Sequence, residues 1–351
     1  MQALIYEEIS GKPALTLQEK ETPKAHPQSA VIRVDAASIC GTDLRTYRYG
    51  SPKIAYPRII GHESVGTIVD LGSSVKGFQV GDRVQTAPAI GCGTCISCLR
   101  GYTNLCDSLQ TIGFDFDGSF AQYMEIPVEA FLRNHVTPVS ASISPFEAVL
   151  AEPIACIVNA QQYLHIGDED IVAVFGSGFI GTMHAWLAYH QGAKKVFMID
   201  VQDRRIAHAK ELLPDLIGIN SLHQPLKEII WDETGGNGAD VAITACSAGS
   251  AQRDALNIAA KRGRISLFGG LPGDSTGFID SNQIHYKEIS VFGAHASTAA
   301  QNRQVLELIT SGKLPASYFA GNIFPLSKIH EAFAAVDKEQ ISKAVIAPNP
   351  D

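Results

Sequence analysis

The fold is decided by residues 171–181, which read IVAVFGSGFIG. Residues 171–175 form a continuous apolar run, which is typical of a strand buried in a parallel sheet. Residues 176–181 match G-x-G-x-x-G, a pattern that turns a strand tightly into a helix. Strand and helix patterns then alternate, with helices predicted at 181–191 and 204–213 and strands at 196–199, 241–244 and 265–268. This alternation predicts an α/β unit built on a doubly wound parallel sheet.

The chain before this unit has a different character. Its first 150 residues are rich in Gly, Pro and β-branched residues, and the patterns at 31–36 and 64–69 predict strands of a mostly antiparallel domain. After about residue 290 the mixed character returns, and residues 345–346 are expected to close a strand of that first domain. With 351 residues the chain is too long for one ordinary core. We therefore predict a β-rich domain of residues 1–150 and 291–351, and an inserted nucleotide-binding domain of residues 151–290.

Composition excludes several classes of function. The formal charge is −8 and no Lys/Arg cluster interrupts the acidic background, so a nucleic-acid partner is not expected. No apolar run approaches the length of a membrane span. The first residues lack the basic and apolar pattern of a signal peptide. The expectation is a soluble cytoplasmic protein.

Four of the seven cysteines lie within a Gly-rich stretch at residues 91–107. Their spacing is Cys92-x2-Cys95-x2-Cys98-x7-Cys106, and four thiolates can enclose Zn²⁺ tetrahedrally with no open position. An iron–sulfur cluster also takes four thiolates, and four unpaired thiols are the remaining alternative. Exposed thiols oxidise, so a structural zinc lobe is the favoured interpretation.

A second set of metal-binding side chains is spread along the first domain. Cys40 follows a predicted strand, and His62 and Glu63 are adjacent. A thiolate, an imidazole and a carboxylate suit Zn²⁺ and leave one position for water or substrate. Each residue alone is weak evidence, because a lone cysteine after a strand is usually core and a His-Glu pair is usually surface.

These segments together resemble a known family. Residues 61–75, with the pattern GHExxGxxxxxGxxV, resemble the zinc signature of the medium-chain dehydrogenases/reductases. The CGTD segment at 40–43, the cysteine lobe and the glycine motif follow in that family's order over essentially the whole chain. The resemblance implies a GroES-like, mostly β catalytic domain and a Rossmann domain. It is closest to the sorbitol (polyol) dehydrogenase branch.

The resemblance also implies roles for individual residues. Cys40, His62 and Glu63 would hold the catalytic zinc, and Thr42 would receive a proton from the substrate. Glu152, in the segment Ala-Glu-Pro, would contact the zinc directly or through water, or bind substrate. Its alternative is a carboxylate that stabilises the start of a helix.

The glycine motif implies a dinucleotide, whose pyrophosphate the helix N-terminus would stabilise. Asp200 follows Gly181 by nineteen residues. A carboxylate at this position accepts a hydrogen bond from the ribose 2′-hydroxyl and repels a 2′-phosphate. This favours NAD over NADP, although Arg204 and Arg205 argue mildly for NADP. By resemblance Arg205 lies near the adenine. The expected cofactor contacts are Gly176, Gly178, Phe179, Ile180, Gly181, Asp200, Arg205, Phe268, Ala294 and His295.

Three positions depart from the family pattern. Arg45 stands where many relatives have a histidine that completes the proton relay. Residues 296–297 are Ala-Ser where sorbitol-type enzymes have Arg-Tyr. Ala89 stands where threonine dehydrogenases have a histidine. The substrate contacts of both branches are therefore not carried over intact.

The resulting prediction is a zinc-dependent oxidoreductase. It would pass a hydride to NAD from a secondary alcohol of a polyol or sugar alcohol, a class that includes inositol-like and phosphorylated compounds. The alternatives are a threonine-type amino-alcohol dehydrogenase and a non-catalytic protein that binds zinc and nucleotide. Family members are commonly dimers or tetramers, so a homo-oligomer is expected.

Overall fold

A computed structural model describes residues 1–271, 277 and 279–349. The chain divides into two compact units. One comprises Met1–Ala155 together with the chain from Ala296 onward, and the other comprises Cys156–His295. The two boundaries, after Ala155 and after His295, lie about five residues beyond those predicted from sequence.

The first 150 residues contain ten strands and four short helices. The strands are β1 (Gln2–Ile9), β2 (Lys12–Glu19), β3 (Ala30–Ser38), β4 (Arg58–Ile59), β5 (Glu63–Leu71), β6 (Arg83–Thr86), β7 (Ala89–Ile90), β8 (Gln110–Thr111), β9 (Tyr123–Ile126) and β10 (Val136–Pro138). The helices are α1 (Gly41–Tyr49), α2 (Ile96–Leu99), α3 (Val128–Leu132) and α4 (Pro145–Ala148). The predicted strands at 31–36 and 64–69 lie inside β3 and β5.

Strands and helices alternate in the second unit. Helix α5 (Ala151–Gln161) begins in the first unit and ends in the second. The strands are β11 (Ile171–Phe175), β12 (Lys195–Asp200), β13 (Ile217–Asn220), β14 (Ala239–Thr244), β15 (Ala259–Leu267) and β16 (Ser290–Gly293). The helices between them are α6 (Phe179–His190), α7 (Asp203–Leu212), α8 (Leu226–Glu233), α9 (Gly249–Ile258) and α10 (Ser281–Lys287).

The six strands of this unit form one parallel sheet in the order β13-β12-β11-β14-β15-β16. Alternate residues of β11 pack on opposite faces. Val172 and Val174 pack with Ala185 and Ala188 on one side, and Ala173 and Phe175 belong to the cluster on the other. Helices therefore cover both faces, as the sequence pattern predicts. The order reverses beside β11, and ligands bind such sheets at the carboxyl ends of strands near the reversal.

The chain then returns to the first unit. It forms α11 (Ala299–Thr310), β17 (Ile323–Pro325), α12 (Ile329–Asp337) and β18 (Val345–Ala347). A central sheet of this unit runs in the order β10-β6-β5-β3-β18-β17, with β9 also paired to β3. The predicted closing strand at 345–346 is present, because Val345 and Ile346 pair antiparallel with Ser38 and Ala37 of β3.

The core of the first unit lies on this sheet. It includes fully buried side chains such as Ile32, Ile68, Phe120 and Phe333. Burial of a side chain of this size stabilises a fold by roughly 1.5–3 kcal/mol. Within the described part of the chain, no helix is both long enough and apolar enough to span a bilayer.

Candidate active site

Three side chains that are distant in sequence converge in the first unit. A ligand atom from each of Cys40, His62 and Glu63 lies within 4.8 Å of the other two. The strand register explains the convergence, because Ser38 at the end of β3 pairs with Glu63 at the start of β5. Cys40 follows β3 as the N-cap residue of α1, and His62 directly precedes β5.

Glu63 presents its two carboxylate oxygens to different surroundings. The side chain is fully buried. Oε2 accepts a hydrogen bond from Lys343 Nζ at 2.5 Å and another from Ser38 Oγ. Oε1 is buried without a hydrogen-bond partner. A buried carboxylate oxygen without a donor is costly, and a cation at this point would satisfy it.

His62 is surrounded by anionic groups. Its Nδ1 lies 3.4 Å from Oδ1 of Asp43, and the other oxygen of Asp43 accepts a hydrogen bond from Cys40 N at 2.9 Å. Burial lowers the pKa of His62, but the charges of Asp43 and Cys40 more than offset this and raise the pKa well above its usual 6.5. Such anionic surroundings favour a cation beside the imidazole, and Asp43 lies where it can orient the ring as carboxylates orient zinc-bound histidines.

The two remaining predicted catalytic residues are Thr42 and Glu152. Thr42 is in the first turn of α1, and Arg45 is exposed on the same helix. Glu152 is in the first turn of α5 and is buried. It is not part of the three-residue cluster at the 4.8 Å limit. Direct ligation by Glu152 therefore stays a prediction, as does a contact through water.

The four lobe cysteines also form one cluster. Their sulfur atoms all lie within 4.8 Å of one another. Backbone N–H groups point at the sulfurs, with Cys92 N donating to Cys106 Sγ at 3.2 Å and Cys95 N to Cys92 Sγ at 3.3 Å. Hydrogen bonds from Thr94 and from backbone amides lower the pKa of Cys92 to about 5, whereas burial raises that of Cys98 to about 12. A tetrahedral cation would hold all four as thiolates.

We expect Cys92→Ser to remove one zinc ion per chain and to destabilise the protein, because structural zinc contributes directly to folding. Metal analysis should fall from two ions to one, and the thermal unfolding midpoint should drop by several degrees. Cys156→Ser, outside both clusters, is the matched control. Unchanged metal content in Cys92→Ser would contradict a zinc lobe.

The glycine motif forms a tight turn between β11 and α6. Gly176 has φ +96°, in the left-handed region that favours glycine. A Cβ on Gly181 would lie 1.7 Å from Gly176 O, so any side chain there would force the turn apart. A Cβ on Gly178 would meet no atom within 4 Å, which leaves open space at the N-cap of α6. This space suits a pyrophosphate at a helix N-terminus.

The other predicted cofactor residues lie at the carboxyl ends of parallel strands or in the helices that follow such strands. Asp200 ends β12, and its Oδ2 accepts a hydrogen bond from Ser177 N at 2.7 Å. Phe268 follows β15 and packs edge-on against buried His184. Ala294 and His295 follow β16. Phe179 and Ile180 are in the first turn of α6, and Arg205 is near the start of α7.

Four residues around these sites are missed by the sequence analysis as site residues. Asp43 stands in the quoted CGTD segment, and its spacing from Cys40 is that of a capping box, so a signal was available. Lys343 lies two residues before the buried strand β18, and a lysine at such a position is a weak signal. Nothing in the local sequence indicates that Ser38 bonds Glu63 or that Ser177 bonds Asp200.

Comparison with known proteins supplies the family. Residues 26–136 match the model described as alcohol dehydrogenase GroES-like domain, and residues 180–311 match zinc-binding dehydrogenase. An L-threonine 3-dehydrogenase of Pyrococcus horikoshii is 33% identical over 303 residues, covering 85% of this chain and 84% of that protein. A sorbitol dehydrogenase of Halalkalibacterium halodurans is 31% identical over 334 residues, covering 95% of both. The solved structure of an alcohol dehydrogenase from Thermus sp. ATN1 superposes with a TM-score of 0.88 at 26% identity, covering 99% of each chain.

Proposed function

The chain belongs to the zinc-dependent medium-chain dehydrogenase/reductase family, and from this premise we propose that it oxidises a secondary alcohol of a polyol or sugar alcohol to a ketone with NAD as acceptor. The observation that carries the proposal is the cluster of Cys40, His62 and Glu63. A soft thiolate, an imidazole and a hard carboxylate together suit Zn²⁺ with one position left for substrate.

When bound, zinc supplies a Lewis acid that acidifies the substrate hydroxyl, and the nicotinamide supplies the hydride acceptor. The chain's own residues provide positioning and proton transfer. Lys343 and Ser38 hold Oε2 of Glu63, so that Oε1 is free to face the metal. Asp43 orients His62. Thr42 takes the proton of the hydroxyl in our proposal, which its place two residues after Cys40 supports.

The carboxylate at the site supports a polyhydroxy substrate. It makes the metal centre harder than a site with two cysteines and one histidine, which favours oxygen-rich ligands. A phosphorylated or inositol-like polyol falls within this class. Among the proteins compared, a threonine dehydrogenase is 33% identical and a sorbitol dehydrogenase 31%, so overall identity does not separate the two branches.

A threonine-type amino alcohol is therefore the second candidate substrate. The relatives that match this chain at 30–33% identity include several threonine dehydrogenases. Against it stands Ala89, in β7, where that branch has a histidine by resemblance. A non-catalytic role is disfavoured because both the metal-ligand cluster and the glycine turn are intact.

The test is NADH production over a panel of sugar alcohols, their phosphates, inositols and threonine. We expect chelator-sensitive activity that is highest with a polyol and is restored by Zn²⁺. Activity with threonine alone would favour the second candidate. Absence of activity across the panel, with both zinc ions present, would favour the non-catalytic alternative.

We also propose a cellular location and an oligomeric state for the enzyme. Thiol lobes of this kind persist where thiols stay reduced, which supports a cytoplasmic location. The family resemblance supports a homodimer or homotetramer. Light scattering of the purified protein would measure the number of subunits.

We expect Arg45→His to change the pH profile of the reaction. Arginine does not lose its proton, whereas histidine titrates near pH 6.5 and can carry a proton when neutral. The variant should gain a rise in kcat centred at roughly pH 6.5. Arg45→Gln is the control, since it removes the charge without adding a titrating ring. Identical profiles for both variants would mean that the relay does not pass this position.

A further inference from the structure

The carboxylate of Asp200 is already saturated by donors of its own chain. Oδ2 accepts from Ser177 N at 2.7 Å and from Ser177 Oγ at 2.8 Å. Oδ1 accepts from Val201 N at 2.7 Å and from Gln202 N at 3.0 Å. An ionised carboxylate offers about four acceptor positions. These four hydrogen bonds therefore occupy the whole capacity of the group that should receive the ribose of the cofactor.

Only one of the four donors is free to move away. Three are backbone N–H groups, held by the glycine turn and by the chain that leaves β12. The fourth is the hydroxyl of Ser177, which can leave by rotation about a single side-chain bond. Ser177 is buried with 2% of its surface exposed and Asp200 with 7%, so water does not readily replace a lost bond.

We propose that the Ser177 hydroxyl competes with the adenosine ribose for Asp200 and thereby determines the affinity and selectivity for NAD. The inference rests on the proposed NAD site and adds a specificity-determining residue to it. A ribose 2′-hydroxyl that donates to Oδ2 must displace the Ser177 hydroxyl. One hydrogen bond to Oδ2 is then exchanged for another, and their number does not rise on binding. Removing the serine hydroxyl leaves Oδ2 with one vacant acceptor position, which the ribose can fill without a loss.

The two nicotinamide cofactors differ at this point. The 2′-oxygen of NADP carries a phosphate, which is anionic and has no hydroxyl group to donate a hydrogen bond to Asp200. A vacant position on Oδ2 therefore offers NADP nothing. Loss of the Ser177 hydroxyl should strengthen NADH binding without strengthening NADPH binding, and the preference for NAD should widen.

The experiment measures dissociation constants of the zinc-loaded protein and of Ser177→Ala for NADH, NADPH and the 2′-deoxyadenosine analogue of NADH. We expect Ser177→Ala to bind NADH about two- to tenfold more tightly, the size of one net hydrogen bond. The analogue lacks the 2′-hydroxyl and should bind both proteins equally. This cycle isolates the coupling between the serine hydroxyl and the ribose hydroxyl.

Ser177→Cys provides a second variant, because a thiol is a weaker donor and should give an intermediate affinity. Unfolding midpoints of both variants show whether the turn is intact. Equal or weaker NADH binding by Ser177→Ala would overturn the inference, and so would a gain that the 2′-deoxy analogue shares. Failure of the unaltered protein to bind NADH would instead overturn the proposed function itself.

Discussion

Cys40→Ser is expected to lower kcat/KM by about a thousandfold or more and to remove one zinc ion per chain while leaving the other. Lewis-acid stabilisation at a catalytic metal contributes several kcal/mol, and each 1.4 kcal/mol corresponds to about a factor of ten. Cys40 lies within 4.8 Å of the ligand atoms of His62 and Glu63, and it is the soft member of that set. Serine keeps the size of the side chain but loses the thiolate.

Metal analysis and steady-state kinetics should be run beside two other variants. Cys92→Ser should lose the other ion, so the two variants are complementary in metal content. Cys156→Ser should keep both ions and full activity, because Cys156 belongs to neither metal-ligand cluster. Retention of both zinc ions and of activity in Cys40→Ser would contradict the proposed catalytic centre.

Lys343→Met is expected to reduce the free energy of unfolding by about 3–5 kcal/mol, the usual cost of breaking a buried ion pair from one side. The side chains of Lys343 and Glu63 are 4% and 0% exposed, and their N···O distance is 2.5 Å. Removing the lysine leaves Glu63 charged and buried, with Ser38 Oγ as the remaining side-chain donor to Oε2. Zinc facing Oε1 should offset part of this cost, so the loss should be larger after chelation.

An exposed pair provides the matched control. Lys194 and Glu169 lie 2.8 Å apart with 59% and 83% of their side chains exposed, and such pairs contribute about 0–1 kcal/mol. Lys194→Met should therefore cost little when the unfolding of both variants is measured by urea titration. Adding Glu63→Gln to Lys343→Met should recover part of the stability. A cost for Lys343→Met no greater than that for Lys194→Met would contradict the assignment.

Local patterns predicted much of this molecule. The strand Ile171–Phe175 has the predicted bounds. A short apolar run directly before a glycine motif leaves few other positions at which the strand could begin or end. The cysteine lobe is similarly local, since all four ligands lie within fifteen residues. Short-range spacing and backbone turns determine both features, and both are readable from a single sequence.

Long-range pairing explains what the sequence did not predict. Glu63 and Lys343 are 280 positions apart, and only the alignment of β18 beside β3 brings them together. The long extension of β15 back to Ala259 follows from pairing with β14 rather than from its own composition, which includes Lys261 and Arg262. The bond from Ser177 to Asp200 depends on a rotamer, which no spacing rule encodes.

The pairing of β18 with β3 also bears on how the protein is made. A ribosome adding about 5–20 residues per second needs roughly 14–56 s to pass from residue 63 to residue 343. During that interval β3 can pair with β5 on one edge, while its other edge at Ala37 and Ser38, where β18 pairs in the finished fold, is open. The nascent chain thus carries an open strand edge and a carboxylate without its lysine until residue 343 has been synthesised. The complete set of contacts around Glu63 can accordingly form only after β3 and β5 have long left the site of peptide-bond formation.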